Sequence, residues 1–248
     1  MNMSEYKLYN GDCFKVLPKI NSNSIDLIIA DPPYNLGVAD WDTIENYEKW
    51  CVPWLDECVR ILKEGGSFYV FGVTPQIFEI YNLLKNKLTY KNEIIWYFST
   101  GYPSKTKYRT EHENALFFTK GETELNHDEV RIKFETEDKR HNPKGKSVGT
   151  VIREKRIMPN YGNYMGHPTQ KPENIIKTFI KASSKKGDVV LDPFLGSGTT
   201  MKCAQDLGRS CIGIELSSKY VEMIKTRCWG RQFLDRKVKY EFMIVVDE

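Results

Sequence analysis

Four consecutive residues, Asp31-Pro32-Pro33-Tyr34, have the types needed to hold a flat ring that carries an amine. The two prolines fix φ and leave their carbonyls without a helix or sheet to join. Such a turn presents rigid acceptors, the Asp31 carboxylate and the Pro32 carbonyl, beside the flat face of Tyr34. An aminated base fits that set: Asp31 and Pro32 accept the two amine hydrogens and Tyr34 stacks on the ring. Accepting both hydrogens helps localise the nitrogen lone pair, which can then attack a sulfonium methyl in line. Positioning and preorganised electrostatics would supply most of the rate. Asp-Pro alone reads as an ordinary turn. Its weight comes from the run Ile25 to Ala30 just before it (IDLIIA), apolar but for Asp26, which reads as a strand buried on both faces. In an open parallel sheet, ligands sit beyond the carboxyl ends of the strands.

A second constellation runs from Val189 to Thr200 (VVLDPFLGSGTT). A strand enters a turn with Gly196 and Gly198, and a helix follows. The glycines let the backbone approach a ligand, and the helix start offers unpaired N–H donors to a carboxylate. A side chain added at Gly198 is therefore expected to enter ligand space. Asp192, Phe194, Gly196, Ser197, Gly198 and Thr199 are the expected lining of this turn. Glu215 ends the next strand (CIGIEL), where an acid can accept both hydroxyls of a ribose. A plain tight turn with a solvated Glu215 is the alternative. The absence of a following Gly-Lys-Ser/Thr argues against an ATP-binding loop.

These motifs need a sheet to hold them, and the chain alternates short apolar runs with helical stretches as a mostly parallel α/β sheet requires. Strands are expected at Lys7–Tyr9, Ile25–Ala30, Ser67–Phe71, Val189–Leu191 and Cys211–Ile214. Glu93–Phe98 and Ala115–Thr119 are expected to pair antiparallel at the sheet's far side. Helices are expected over Asn46–Lys63 (ended by Gly65-Gly66), Ile77–Leu84, Glu173–Ser184, from the glycine turn to about Leu207, and over Ser217–Cys228. Tyr240–Val246 has strand composition but no assignable neighbour.

From Gly121 to Gly166 the periodicity degrades, over a stretch too long for a plain connection. Within it, Asp138 to Met158 holds seven Lys and Arg against two acids, a surplus of five on a chain whose net charge is +3. One basic face on a near-neutral body suits a phosphate-binding surface, although charge runs are often only solvated faces. The six cysteines form no C-x-x-C pair and no zinc spacing, so no metal site is expected. With no signal core and no apolar run of membrane length, the reading is a cytoplasmic protein with cysteines serving mostly as small buried hydrophobes.

Together these residues resemble the β-type amino DNA methyltransferases over nearly the whole chain. The order is telling: Asp31-Pro32-Pro33-Tyr34 precedes the glycine loop, as in a circularly permuted Rossmann-like fold. Asn10-Gly11-Asp12 resembles the family's opening segment, whose acid contacts the cofactor adenine. Glu93 to Lys120, with Trp96 and His112-Glu113, resembles the segment ahead of the recognition region. His167-Pro168-Thr169-Gln170-Lys171-Pro172 resembles the block before the cofactor strand.

The resemblance implies S-adenosylmethionine as cofactor, bound by Asp12, Thr169, Lys171, Asp192, Phe194, Gly196, Ser197, Gly198, Thr199 and Glu215. Thr169 and Lys171 would hold its methionine end, and Asp31 would also touch it. It implies three stretches, 1–120 catalytic, 121–166 target recognition and 167–248 cofactor-binding. Trp41, Arg140, Lys144, Lys146, Arg153, Lys155 and Arg156 are candidate DNA contacts, with His141, Asn142 and Asn160 able to read base edges.

The substrate implied is N6 of adenine in double-stranded DNA, reached by flipping the base. Asn35–Thr43, with Trp41, is either a loop that closes over that base or a packed structural loop. His112-Glu113 is read as structural, because the transfer does not require a general base. Transfer to cytosine N4 is the alternative, with RNA adenine methylation and an inactive DNA-binding subunit behind it. A homodimer and a cognate restriction endonuclease outside this chain are implied partners.

Overall fold

The computed structural model describes residues 4–37, 42–101, 103, 105–134, 142–159, 162, 164–230 and 238–245. The expected strands all form, most of them longer than their apolar runs. They are β1 (Ser4–Asn10), β2 (Ile25–Ala30), β3 (Leu62–Gly72), β4 (Thr89–Tyr97), β5 (His112–Thr119), β9 (Val189–Asp192) and β10 (Ser210–Glu215). Three more were not assigned from sequence: short β6 (Arg131–Ile132) and β7 (Lys146–Ser147), which pair with each other, and β8 (Val151–Arg153). The final strand, β11 (Val238–Ile244), lies parallel to β1 at the outer edge.

The nine-stranded sheet has the order β11-β1-β10-β9-β2-β3-β5-β4-β8. Only β5 runs against the rest, pairing antiparallel with both β3 and β4. The two halves of the chain meet where β9 pairs with β2, Leu27 opposite Val190 and Ile28 opposite Leu191. The turns after these two strands, one carrying Asp31 and the other Gly196 and Gly198, therefore emerge side by side at one edge of the sheet. That adjacency positions the site, and it is the Rossmann-like arrangement with permuted motif order.

The alternation along β2 explains the layers. Leu27 and Ile29 face a core shared with α4 (Glu173–Ser183), α5 (Thr199–Asp206) and α6 (Ser218–Trp229). Ile28 and Ala30 face a second core under α1 (Cys13–Val16), α2 (Tyr47–Ile61) and α3 (Gln76–Leu84). All six cysteines are buried free thiols. Asn46 caps α2 by accepting the Lys49 N–H at 2.9 Å, a bond of the kind that contributes about 1 kcal/mol. α2 ends at Ile61, two residues before the sequence expectation, because Leu62 is already extended and pairs with Ile25. Its burial satisfies helical and strand periodicity alike.

The segment after Gly121 is tied to the body at both ends. Asn126 donates its N–H to the Ala182 carbonyl at 2.8 Å and its side-chain amide to Lys181 and Ser184 at the end of α4. Further on, β8 pairs parallel with β4 as the last strand of the main sheet. No helix among the described residues is long and apolar enough to cross a membrane.

Candidate active site

The carboxyl ends of β2, β9 and β10 open into one cavity of about 910 Å³. Asp31, Pro32, Pro33 and Tyr34 line one part of it; Asp12, Asp192, Phe194, Gly196, Ser197, Thr199 and Glu215 line another, with Thr169 and Lys171 also on its wall. Two motifs more than 150 residues apart in sequence thus share a single space.

At the catalytic end, charge alternates along four side chains. The Lys171 ammonium donates to Asp31 Oδ2 at 2.6 Å and stands 3.3 Å from Glu113 Oε2. Arg156 donates to the other Glu113 oxygen at 3.1 Å and lies over the Phe98 ring. Lys171 is buried, with its ammonium 5.1 to 5.8 Å from the centres of the Tyr34, Phe71 and Trp96 rings. Burial alone would push this ammonium's pKa down; Asp31 and Glu113 outweigh it and hold it above the ordinary value. Burial pushes the Asp31 carboxyl above the usual carboxylate range, against the pull of Lys171. The resemblance puts Lys171 at the methionine end of the cofactor, whereas its charge is seated on the Asp31 carboxylate.

Tyr34 donates its hydroxyl to Asp31 Oδ1 at 2.6 Å, with Glu113 Oε2 at 3.3 Å. An amine donor that approaches Asp31 Oδ1 either shares that oxygen with the hydroxyl or displaces it. The turn itself is held from outside: Tyr47 donates to the Pro33 carbonyl at 2.9 Å. Asp42, buried, accepts the N–H groups of Asn35 and Leu36 at 2.8 and 2.9 Å. Asn35, at φ +57°, exchanges two hydrogen bonds with the Ile44 backbone. The base of the Asn35–Thr43 loop is thus a packed structure. Trp41 lies outside the described residues.

At the cofactor end, Glu215 accepts the Gly196 N–H through one oxygen and the Ser217 N–H through the other, each at 2.8 Å. A carboxylate has about four acceptor sites, so capacity remains for two hydroxyl donors. Burial raises the pKa of Glu215 to about 7 and does the same to Asp192. Asp12 lines the cavity while its Oδ1 caps α1 through the Phe14 N–H at 3.0 Å.

Gly196 has φ +53°, and a Cβ there would meet the His167 ring at 3.1 Å, so glycine keeps this wall open. Burial, with Lys171 nearby, lowers the pKa of His167 to about 4 and leaves it neutral. A buried acceptor at a strand end, a turn that presents Gly196 to the cavity and a helix N-terminus fit a nucleoside with an amino-acid tail.

One expectation changes here. Gly198, at φ +79°, would aim a side chain at Ile224 of α6, 3.1 Å away, and not into ligand space. The Thr199 hydroxyl is braced by Arg227 at 3.1 Å and Ser197 at 3.0 Å. Phe194 packs its ring against Trp50 and Trp54 of α2 while lining the cavity.

The candidate DNA contacts divide. Arg156 is in the charged cluster with Glu113, Lys171 and Asp31. Arg153 lies on β8 over the Tyr97 ring, and Lys155 follows it. Lys144 pairs with Asp128 at 3.2 Å, and Lys146 is on β7. Arg140, His141 and Asn160 lie outside the described residues. Sequence reasoning missed Glu113 and Arg227 as site residues. Glu113 was given a structural role, yet it bridges Tyr34, Lys171 and Arg156. Its sequence signal was an acid just ahead of the apolar run Ala115–Phe118.

A mostly parallel sheet whose strand-end carboxylates and glycine turn share one cavity defines a Rossmann-like methyltransferase. The family model for N6 and N4 enzymes described as DNA methylase matches residues 25–226. Type II methyltransferase M.HpaI of Haemophilus parainfluenzae is 37% identical over 232 residues, covering 90% of this chain and 74% of that protein. DNA adenine methyltransferase YhdJ of Escherichia coli K12 is 37% identical over 235 residues, covering 87% and 80%.

The fold matches the M1.HpyAVI–SAM complex with a TM-score of 0.66 at 24% identity, covering 90% of this chain and 98% of that one. It matches the cytosine-N4-specific PvuII DNA methyltransferase with a TM-score of 0.72 at 19% identity, covering 95% and 90%. The chain belongs to the family of N6-adenine and N4-cytosine DNA methyltransferases, and its methyl donor is S-adenosylmethionine.

Proposed function

We propose that this enzyme methylates N6 of adenine at a short site in double-stranded DNA, with the target base flipped into the cavity. The observation that carries this reading is the Asp31 carboxylate, fixed by Lys171 and facing the same cavity as Glu215. YhdJ, named a DNA adenine methyltransferase, points the same way.

When bound, the cofactor supplies an electrophilic methyl carbon. The chain's own groups do the rest. Asp31 and the Pro32 carbonyl accept the two amine hydrogens, and the base displaces the Tyr34 hydroxyl from Asp31. The freed Tyr34 ring stacks on the base. Positive charge developing on the amine nitrogen is met by a carboxylate that is already in place, which is electrostatic preorganisation. The surplus amine proton leaves to Asp31, whose burial-raised affinity suits that role.

Residues 121–166 form the recognition segment in this reading, flanked by a catalytic stretch (1–120) and a cofactor-binding stretch (167–248). The family resemblance supports a cytoplasmic homodimer, with a restriction endonuclease as a separate partner. The test is nucleoside mass spectrometry, with sequencing of modified bases, on DNA from cells expressing the protein. N6-methyladenine at one short motif is expected. N4-methylcytosine would overturn the choice of base, and unmodified DNA beside methylated RNA would overturn the substrate.

A further inference from the structure

β4 and β5 are joined by a hairpin whose described residues include Pro103 and 105–111. Its base is closed by the Phe98 N–H bonding to the Glu111 carbonyl at 2.8 Å. Gly101 allows this closure, since a Cβ there would strike the Thr110 carbonyl and the Arg109 side chain. The tip reads Lys105-Thr106-Lys107-Tyr108-Arg109. Tyr108 is 98% exposed. No other large apolar or aromatic side chain among the described residues exceeds 64%. Tyr108 stands between three cations, of which only Arg109 has a carboxylate partner, Glu111, among the described residues. Lys107 and Thr110 line the mouth of the catalytic cavity, so the tip is continuous with the site.

A fully solvated aromatic ring among cations makes no contribution to the core. It does match single-stranded or distorted nucleic acid, in which bases offer π faces and phosphates negative charge. We propose that this hairpin tip is a second DNA-contacting element, outside the 121–166 segment. Tyr108 stacks on a base exposed when the target leaves the duplex, and Lys105, Lys107 and Arg109 engage the flanking phosphates. The proposal rests on the reading of the enzyme as a base-flipping DNA methyltransferase. It adds a residue that holds the DNA open, since unstacking the target carries a cost that a replacement stack offsets.

The test uses the full-length enzyme and a duplex carrying the site mapped by modified-base sequencing. A second duplex has an abasic position opposite the target base. Wild type, Tyr108→Phe, Tyr108→Ala and Lys107→Ala are compared for DNA affinity, turnover and S-adenosylmethionine affinity. Tyr108→Ala should weaken binding or turnover on the intact duplex by roughly 5- to 150-fold, the range of one base–aromatic stack.

Tyr108→Phe should stay near wild type, and the abasic duplex should recover most of the Ala defect. Lys107→Ala should lower the salt dependence by up to about one phosphate's share. Cofactor affinity should be unchanged in all four proteins. Tyr108→Ala within twofold of wild type on the intact duplex, or an equal defect on both duplexes, would overturn the proposal. If the wild-type enzyme modifies no DNA at all, the failure belongs to the underlying reading.

Discussion

At the scale of the residue, the ammonium of Lys171 is the group whose position matters most. It is buried, it stands between two carboxylates, and three aromatic rings surround it. Asp31 must be ionised to accept the amine, and burial works against that. Charged or titratable groups also face it from β5 (Glu113), from its own turn (Tyr34) and from the end of β9 (Asp192), while Lys171 is the cation that pulls its pKa down. Lys171→Met should therefore move the acid limb of kcat to higher pH and depress turnover near neutrality by about 10-fold or more, and Lys171→Arg should restore much of it. The cofactor's dissociation constant should change little. A large loss of cofactor affinity with an unmoved pH profile would return Lys171 to the methionine end.

Glu215 gives a second pH dependence. Its pKa is raised by burial to about 7 in the fold, so the ionised form is the disfavoured one, and its contribution to stability without ligand falls as pH rises from the ordinary value towards 7. Ribose hydroxyls need the ionised acceptor, so S-adenosylmethionine affinity should rise as pH rises through about 7. Glu215→Gln should flatten that slope in calorimetry; an equal slope in both proteins would deny Glu215 the role. Asp31 and Glu215 were legible because each closes a strand-like apolar run, and Tyr34 because it completes the Asp-Pro-Pro turn that follows one. Glu113 and Arg156 were not: their roles come from β5 and the chain beyond β8 arriving at the same point, which no local pattern reports.

At the scale of the element, the glycine turn between β9 and α5 has two sides. Gly196 faces His167 and the cavity; Gly198 faces Ile224 and the core. Both hold positive φ, where an L-residue costs roughly 1–2 kcal/mol. α6 grips the same turn through Arg227, which donates to the Ser197 carbonyl at 2.9 Å and to Glu173 of α4 at 2.8 Å. Gly198→Ala should therefore lower the melting temperature by about 2–8 °C at this chain length and leave cofactor affinity within a few-fold. Gly196→Ala should lower stability similarly and also weaken the cofactor by displacing His167. Thermal unfolding and calorimetry on both variants check this, and the reverse pattern would mean that the two sides have been confused. Strand, glycine turn, helix and acid were all legible in the sequence, in that order. Which glycine faces the ligand was not, because that depends on where α6 packs.

At the scale of the whole molecule, the parts hardest to read lie at the sheet's edges. β11 pairs with β1 across more than 230 residues, and β8 reaches β4 from within an irregular, charged segment. Neither strand is fully buried, so neither has the apolar run that announced β2. The same segment carries the basic surplus, and the fold now divides that surplus by role. Arg156 belongs with Glu113, so replacing it should impair catalysis and confuse a binding test. Lys144 already has Asp128 as partner, so its gain on meeting a phosphate is reduced. Lys146, Arg153 and Lys155 remain the clearer probes. If residues 121–166 meet the DNA backbone, replacing these three by Ala should weaken DNA binding broadly across sequences. It should also reduce the slope of log affinity against log salt by up to roughly 0.9 for each phosphate no longer neutralised, while cofactor affinity stays the same. Adding Lys144→Ala should lower the slope further by less than any one of the three. Titrations over a range of salt concentrations measure both. An unchanged slope in the triple variant would make this segment a solvated connection and leave the β4–β5 hairpin tip as the surface that meets the phosphates.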